Sequence, residues 1–357
     1  MTKIKVIQIG CGKMSKYTMR YVYDHGGEIV GAIDSNPNFV GTDIGSVMGL
    51  RNKQIIIEPA DKLDEVLKIT KPNIAIVTTM SLLNDLRDTL RILVNNKVNV
   101  ITTCEEAFFA QNSNKQVYKE IDTLAKANGV TVVGCGYQDV FWGNLISVIA
   151  GSTNKITKVK GISSYNVEDY GISLAKAHGV GLTNDEFARD IANKNVMSDE
   201  EREQLIDKGK FNPSYMWNTI GWLADKLNFE IDSMKQECIP ITCEKLIHSK
   251  TLKMDIKPGC VIGMSAKVTG KTIDGITLEA ECVGKIYDEN EFDKNEWTIY
   301  GEPDTTVTIN KPSTVELTCA DIVNRIPDVI NGKPGFISTS ELPIAHYLKE
   351  DLDYYVR

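Results

Sequence analysis

A chain of 357 residues is too long for one compact core and natural for two domains. Its 42% hydrophobic and 25% charged residues are those of an ordinary globular protein, and a formal net charge of −8 leaves no basic footprint for nucleic acid. No apolar run approaches the ~20 residues of a membrane span. Met1-Thr2-Lys3-Ile4-Lys5 moves straight into a strand-like run without the apolar core of a signal peptide, so the expected location is the cytoplasm. The eight cysteines suit that compartment as reduced thiols. Their one close pair, Cys238 and Cys243, lacks a second pair or a histidine cluster, and no metal site is expected.

From Lys3 to Gly136, short β-branched runs alternate with amphipathic stretches. The runs are 5–9, 28–33, 54–57, 73–78, 98–102 and 130–133, and helical patterns include 61–69, 82–94 and 113–128. Such alternation predicts a parallel sheet, because parallel neighbours need a crossover that returns across one face. Ile74-Ala75-Ile76-Val77 is wholly apolar, as a strand covered on both faces should be. After Gly136 the rhythm changes. A glycine-punctuated segment at 134–143 leads out of the last run, and helical patterns fill 183–228. Longer strand-like runs follow at 231–247, 259–270 and 275–287, with a turn at Asp274-Gly275. Helices grouped with long strands predict an α+β domain on an open sheet, mixed or antiparallel. Ser313–Pro327 reads as a helix with Ser313 as its N-cap, and the tail is expected to pack back on the first domain. The domain boundaries are then 1–142, 143–312 and a returning segment at 313–357.

Gly10-Cys11-Gly12-Lys13-Met14-Ser15 lies between the first strand and the helix that follows it. In that place glycines let the chain turn sharply and bring its backbone close to a pyrophosphate, which the free N–H groups of a helix N-terminus attract. Ser15 replaces the usual third glycine or alanine and is expected to loosen the helix–strand packing slightly. Asp34 follows the second strand at about the 20-residue separation expected of the acid that binds a ribose 2′-hydroxyl. An acid there repels a 2′-phosphate and favours NAD, while Lys13 and the small polar pair Ser35-Asn36 soften that exclusion toward NADP. The fold class is thus α/β: a doubly wound parallel sheet of the Rossmann type, followed by the α+β domain.

Ligands of open parallel sheets bind beyond the carboxyl ends of the strands. Thr78, Thr79, Thr103 and Cys104 stand there as candidates to line the cofactor. Glu105 and Glu106 follow at once, two adjacent acids at a strand mouth before Ala107-Phe108-Phe109. Burial and a like charge next door both raise a carboxylate's pKa toward the range of a general base, so either is a candidate, Glu105 ahead of Glu106. The alternative is that both only open the next helix, where acids suit the dipole.

These residues carry a resemblance. The first half is similar to the dihydrodipicolinate reductase and sugar oxidoreductase group. Most of the chain resembles the family of 2,4-diaminopentanoate dehydrogenases and related amine dehydrogenases. The matching pieces are Val6–Met14, Thr103-Cys104-Glu105-Glu106, and Asn324–Gly335 with Ile326-Pro327 and Pro334-Gly335. Sugar oxidoreductases of the group carry Glu-Lys-Pro where this chain has Glu105-Glu106-Ala107. Dihydrodipicolinate reductase carries paired histidines, whereas the four here are isolated. Tyr137-Gln138-Asp139 departs from the Asn-Pro-Gly expected after the last strand.

The resemblance implies NAD-dependent oxidation of (2R,4S)-2,4-diaminopentanoate at C4 to 2-amino-4-oxopentanoate and ammonia, as in ornithine fermentation, with a glutamate at 105–106 as base. A carboxylate suits a cationic substrate: it attracts the ammonium and then takes its proton. In the second domain, Asn166 and His178 are candidates for the substrate carboxylate, and Asp139 for an ammonium. The alternative for each is a turn, cap or surface residue, since polar loop residues are common at surfaces. The competing functions are a reductase of a cyclic imine or enamine and a non-catalytic NAD sensor. A homodimer is expected, because an open sheet needs its free face covered.

Overall fold

The computed structural model describes residues 3–357, so Met1 and Thr2 of the amino-terminal segment lie outside the described residues. In chain order the elements are β1 (Lys5–Ile9), α1 (Ser15–Asp24), β2 (Glu28–Asp34), α2 (Ile44–Met48), β3 (Ile57–Pro59), α3 (Leu63–Thr70), β4 (Ile74–Val77), α4 (Leu83–Asn95), β5 (Asn99–Thr102), α5 (Lys115–Asn128) and β6 (Thr131–Gly134). There follow α6 (Leu145–Ala150), β7 (Lys155–Asn166), α7 (Ile172–Ala177), α8 (Asn184–Asp190), α9 (Asp199–Asp207) and α10 (Tyr215–Lys226). The next strands are β8 (Ile231–Thr242), β9 (Ile247–Ser249), β10 (Met254–Ile256), β11 (Val261–Thr272), β12 (Thr277–Lys285), β13 (Lys294–Glu302) and β14 (Thr305–Asn310). The chain ends with α11 (Thr314–Asn324), α12 (Ile326–Ile330) and β15 (Gly335–Phe336).

Two compact units result. The first comprises Met1–Asn144, Ile206–Lys210 and Ser313–Arg357; the second comprises Leu145–Leu205 and Phe211–Pro312. The first unit is a seven-stranded sheet in the order β15-β6-β5-β4-β1-β2-β3, with every neighbouring pair parallel. Its strand order reverses between β1 and β4, where doubly wound sheets open a crevice for ligands. One face is covered by α3, α4 and α5, through Leu63, Leu67, Leu86, Leu90, Leu93, Val117 and Ile121. The other face is covered by α1, α11 and α12, through Met19, Val22, Ile322, Val323, Ile326 and Val329, with Leu342, Leu348 and Leu352 of the tail. The last segment therefore completes one layer and adds the edge strand β15. Ser313 stands at the N-cap position of α11, but its side chain makes no capping bond. The expected β3 run also shortens: pairing with β2 begins only at Ile57.

The second unit is built on a six-stranded mixed sheet, β14-β13-β7-β12-β11-β8, antiparallel throughout except for β7 with β12. Gly275, with φ +80°, makes the tight turn from β11 to β12. Gly161 on β7 lies under the Trp297 ring, where a Cβ would come within 2.5 Å of the indole. Among the described residues no helix is long and apolar enough to cross a membrane, and all eight cysteines are free.

Candidate active site

The strand ends β1, β4 and β5 converge on one edge of the first unit, and a buried polar network sets their spacing. Gln8 is a fully buried amide among Val6, Ile7 and Ile9 of β1. Its Nε2 donates to the Gly10 carbonyl at 2.9 Å and to Thr78 Oγ1 at 3.0 Å, while its Oε1 accepts from Thr18 Oγ1 at 2.7 Å. Thr78 Oγ1 donates in turn to the Gly10 carbonyl at 3.0 Å. Gly10 has φ +85°, and a Cβ there would lie 2.6 Å from the Thr79 methyl, so both backbone and space demand glycine. A Cβ on Gly12, by contrast, would meet nothing within 4 Å. The open side of the turn is therefore at Gly12 and Lys13, both exposed, beside Met14, the N-cap of α1, which has no side-chain cap.

Ser15 does not loosen this corner. It is fully buried, and its hydroxyl donates to the Gly12 carbonyl at 2.8 Å, closing the loop with a bond that a glycine or alanine could not make. Asp34, at the end of β2, accepts from the Cys11 N–H at 2.5 Å with one oxygen and from the Asn36 N–H at 2.7 Å with the other. Its carboxylate so ties the second strand to the glycine turn, with Ser35 exposed beside it. The Cys11 side chain points inward, its thiol pushed up to about 12 by burial and then by Asp34, and only its backbone faces the turn. A glycine turn with open space above it, an uncapped helix start and a carboxylate across from it fit a dinucleotide's pyrophosphate and ribose. The groups that would hold it are the backbone from Gly10 to Met14 and the Asp34 carboxylate.

The two glutamates at the mouth of β5 have different surroundings. Glu106 is buried: its carboxylate accepts from the Leu83 N–H at 2.7 Å and from the Ser113 and Asn114 side chains. Glu105 is only half-buried, and its carboxylate is met by its own backbone N–H and the Ser81 hydroxyl. Desolvation raises the pKa of both above the usual glutamate value. Thr103 is fixed through its backbone N–H to the Val77 carbonyl at 3.0 Å, and the buried Cys104 thiol donates to the Ser81 carbonyl at 3.1 Å. Burial pushes that thiol far up, so Cys104 stays protonated and packs as a small apolar group.

A family model for the 2,4-diaminopentanoate dehydrogenase C-terminal domain matches residues 141–357. The chain belongs to the 2,4-diaminopentanoate dehydrogenase family. It is 25% identical to the 2,4-diaminopentanoate dehydrogenase of Acetoanaerobium sticklandii, over 98% of this chain and 96% of that one. The amine dehydrogenase of Mycobacterium smegmatis is 33% identical, with a TM-score of 0.82 and 98% of each chain covered. A dipicolinate-bound dihydrodipicolinate reductase from Paenisporosarcina sp. TG-14, 12% identical with a TM-score of 0.51, covers 95% of this chain and 99% of that one and shares the fold. As a member of the 2,4-diaminopentanoate dehydrogenase family, the chain is an oxidoreductase acting on amines with a nicotinamide dinucleotide.

Three polar residues expected to meet the substrate have protein partners of their own. Asp139 is fully buried, and its Oδ2 accepts from Arg325 Nε at 2.8 Å while Asn144 Nδ2 donates to its Oδ1 at 2.8 Å. This pairing gives Asp139 a guanidinium in place of a substrate ammonium. Cys135, Asp139 and Asp321 stand close enough together to hold a metal ion by distance, but Arg325 already supplies the cation of that cluster. In the second unit, His178 Nδ1 donates to the Leu174 carbonyl at 2.9 Å, which leaves Nε2 to accept from the Tyr165 hydroxyl at 2.6 Å. Burial lowers its pKa, so the ring is neutral with both nitrogens used and has no donor to spare for a carboxylate. Asn166 accepts the Glu168 N–H at 3.2 Å with its Oδ1, and it lines a cleft of about 540 Å³ with Asp169, Lys250, Tyr287 and Asp293.

Proposed function

We propose that this enzyme oxidatively deaminates 2,4-diaminopentanoate at C4 with NAD, and that Glu105 is the general base. The observation that carries the assignment is the division between the two acids. Glu106 is spent on three protein donors, while Glu105 is half-buried at the strand mouth beside the dinucleotide cradle, with one side-chain partner. The substrate is taken from the name of the relative that matches over nearly the whole chain, and a diamine suits a site whose reactive group is an anion.

An alkylammonium cannot release hydride until it loses a proton, because the nitrogen lone pair must support the positive charge that develops on carbon. Glu105 attracts the ammonium, accepts that proton and holds the neutral amine against the reacting edge. The bound nicotinamide supplies the hydride acceptor. Glu105 then releases that proton to solvent and takes a second from the water that adds to the substrate iminium. It returns this second proton to the nitrogen, so that the nitrogen leaves as ammonium once the new hydroxyl gives up its proton. The balance is one diamino acid, one NAD⁺ and one water to one amino-ketone, one ammonium, one NADH and one proton. Asp34 binds the adenosine ribose, and Thr78, Thr79, Thr103 and the backbone of Cys104 line the nicotinamide side. Asn166 is the accessible candidate for the substrate carboxylate.

Glu105→Gln keeps size and hydrogen bonding while removing the proton acceptor. It should lower kcat with 2,4-diaminopentanoate by about 10²-fold or more and leave NAD affinity nearly unchanged. Ammonia release equal to NADH formation is expected of the parent enzyme. A Glu105→Gln enzyme with near-parental kcat would remove Glu105 from the chemistry, and NADH formed without ammonia would point to cyclic-imine chemistry instead.

A further inference from the structure

The chemistry above leaves Glu106 without a part in the reaction, although it is an ionisable group 3% exposed beside the base. Its partners come from three segments. Leu83 opens α4, Asn114 is the N-cap of α5 with its Oδ1 on the Val117 N–H, and Ser113 ends the helical turn between β5 and α5. The Glu106 N–H donates to the Ser81 carbonyl at 3.2 Å, and the Cys104 thiol donates to the same oxygen at 3.1 Å. Carboxylate and backbone of one residue therefore hold the turn at 81–83 from both sides. The turn is constrained from its other end as well, since Met80, a non-glycine residue, has φ +54°. Ser81 itself is exposed, so its hydroxyl depends on the geometry of the turn for its place on Glu105.

We propose that Glu106 is the positioning residue of this site: by fixing the 81–83 turn, it keeps the Ser81 hydroxyl on the Glu105 carboxylate. The proposal rests on Glu105 being the base. A hydrogen bond to the ionised form stabilises it, so the Ser81 hydroxyl opposes the desolvation that raises Glu105. The other titratable groups here are Cys104, a protonated thiol, and Asp85 on α4, which acts on Glu106. Glu105 must be deprotonated to act, so its pKa sets the acid limb of kcat/KM.

Positioning and plain charge predict opposite signs. If Glu106 acted as a neighbouring negative charge, Glu106→Gln would ease ionisation of Glu105 and move the acid limb to lower pH. If it acts through Ser81, the same substitution loosens the turn, frees the hydroxyl and moves the limb to higher pH, by about one unit. The amide offers one acceptor and one donor where the carboxylate offered two acceptors to three donors. The experiment is the pH profile of kcat/KM for Glu106→Gln, Ser81→Ala and the double variant, with a NAD titration of each. Expected are an upward move of the limb in both single variants, little further move in the double variant, kcat reduced about tenfold and NAD affinity unchanged. A limb that stays in place or moves down in Glu106→Gln overturns the proposal while leaving Glu105 as the base. Near-parental kcat in Glu105→Gln removes both. Should Glu106→Gln not fold, Ser81→Ala and Ser113→Ala decide: each should raise the limb, and an unmoved limb in either overturns the proposal.

Discussion

Asp34 has two tasks that mutation can separate. Its two oxygens take the Cys11 and Asn36 N–H groups, so it shapes the glycine turn in addition to the ribose contact proposed for it. Asp34→Ala should therefore weaken both cofactors through a looser turn, and weaken NADP less, because the like charge that repels a 2′-phosphate is gone. The ratio of kcat/KM for NADP to that for NAD should rise about tenfold or more. An unchanged ratio would take Asp34 away from the ribose. The place of Asp34 at the end of the second strand was legible in the sequence, but its bond to Cys11 was not, since nothing in a spacing tells which N–H a carboxylate will meet. Gln8 left a trace in the sequence, one amide in Val6-Ile7-Gln8-Ile9, and a polar residue inside a buried strand points to a hydrogen-bonded network. His178 left none. Its partner Tyr165 lies in another element, and only the fold shows that both imidazole nitrogens are used.

At the scale of elements, strands buried on both faces showed as short runs rich in β-branched and apolar residues, wholly apolar in β4, and the six of the first unit lie within a few residues of expectation. The long strand β7 did not, because Lys155–Asn166 puts lysines and serines on a half-exposed face and glycine under Trp297, which reads as loop until the partner strands are known. Nor could periodicity reveal the buried ion pair that links β6 to the last helices. Arg325 is 0% exposed, with Nε on Asp139 at 2.8 Å and Nη1 on Asp328 at 2.9 Å and on the Pro343 carbonyl at 2.5 Å. Those bonds join the turn after β6, α12 and the tail. Asp321, beside them, has its pKa raised well above the usual carboxylate value, first by desolvation and then by the Asp139 charge, so it stays protonated and adds no second anion. Arg325→Met would strand the Asp139 charge in the interior and should destabilise the protein by about 3 kcal/mol or more, measured by urea unfolding. Adding Asp139→Asn should recover part of that loss, because the cost lies in the unpaired charge. A double variant no more stable than the single one would show that the cluster holds by packing instead.

At the scale of the whole molecule, the sheet of the second unit bears on assembly. Its strands alternate between a face of buried residues, with Val159, Ala266, Val268, Leu278 and Ala280, and a face of half-exposed ones. Register places Ile239, Ser265, Val283 and Ser164 in one row across four strands of the second face, with Lys267, Glu281 and Ile162 in the next. Lys158, Lys160 and Lys267 converge on the carboxylate of Glu279, and Glu281 stands opposite Lys267 in the register, so that much of the charge on that part of the face is paired in place. A wide sheet face with isoleucine and valine among self-paired charges suits burial against a copy of itself, since a twofold axis lets one self-complementary patch serve both partners. We therefore expect a homodimer through this face, with light scattering giving twice the chain mass at micromolar concentration. Val283→Lys sets an unpaired charge in the middle of the row and should shift the enzyme to monomer with its NAD affinity retained, because the cradle around Gly10 and Asp34 lies in the other unit. A parent enzyme that scatters as a monomer would reject the dimer, and a Val283→Lys variant that stays dimeric would move the interface to another surface.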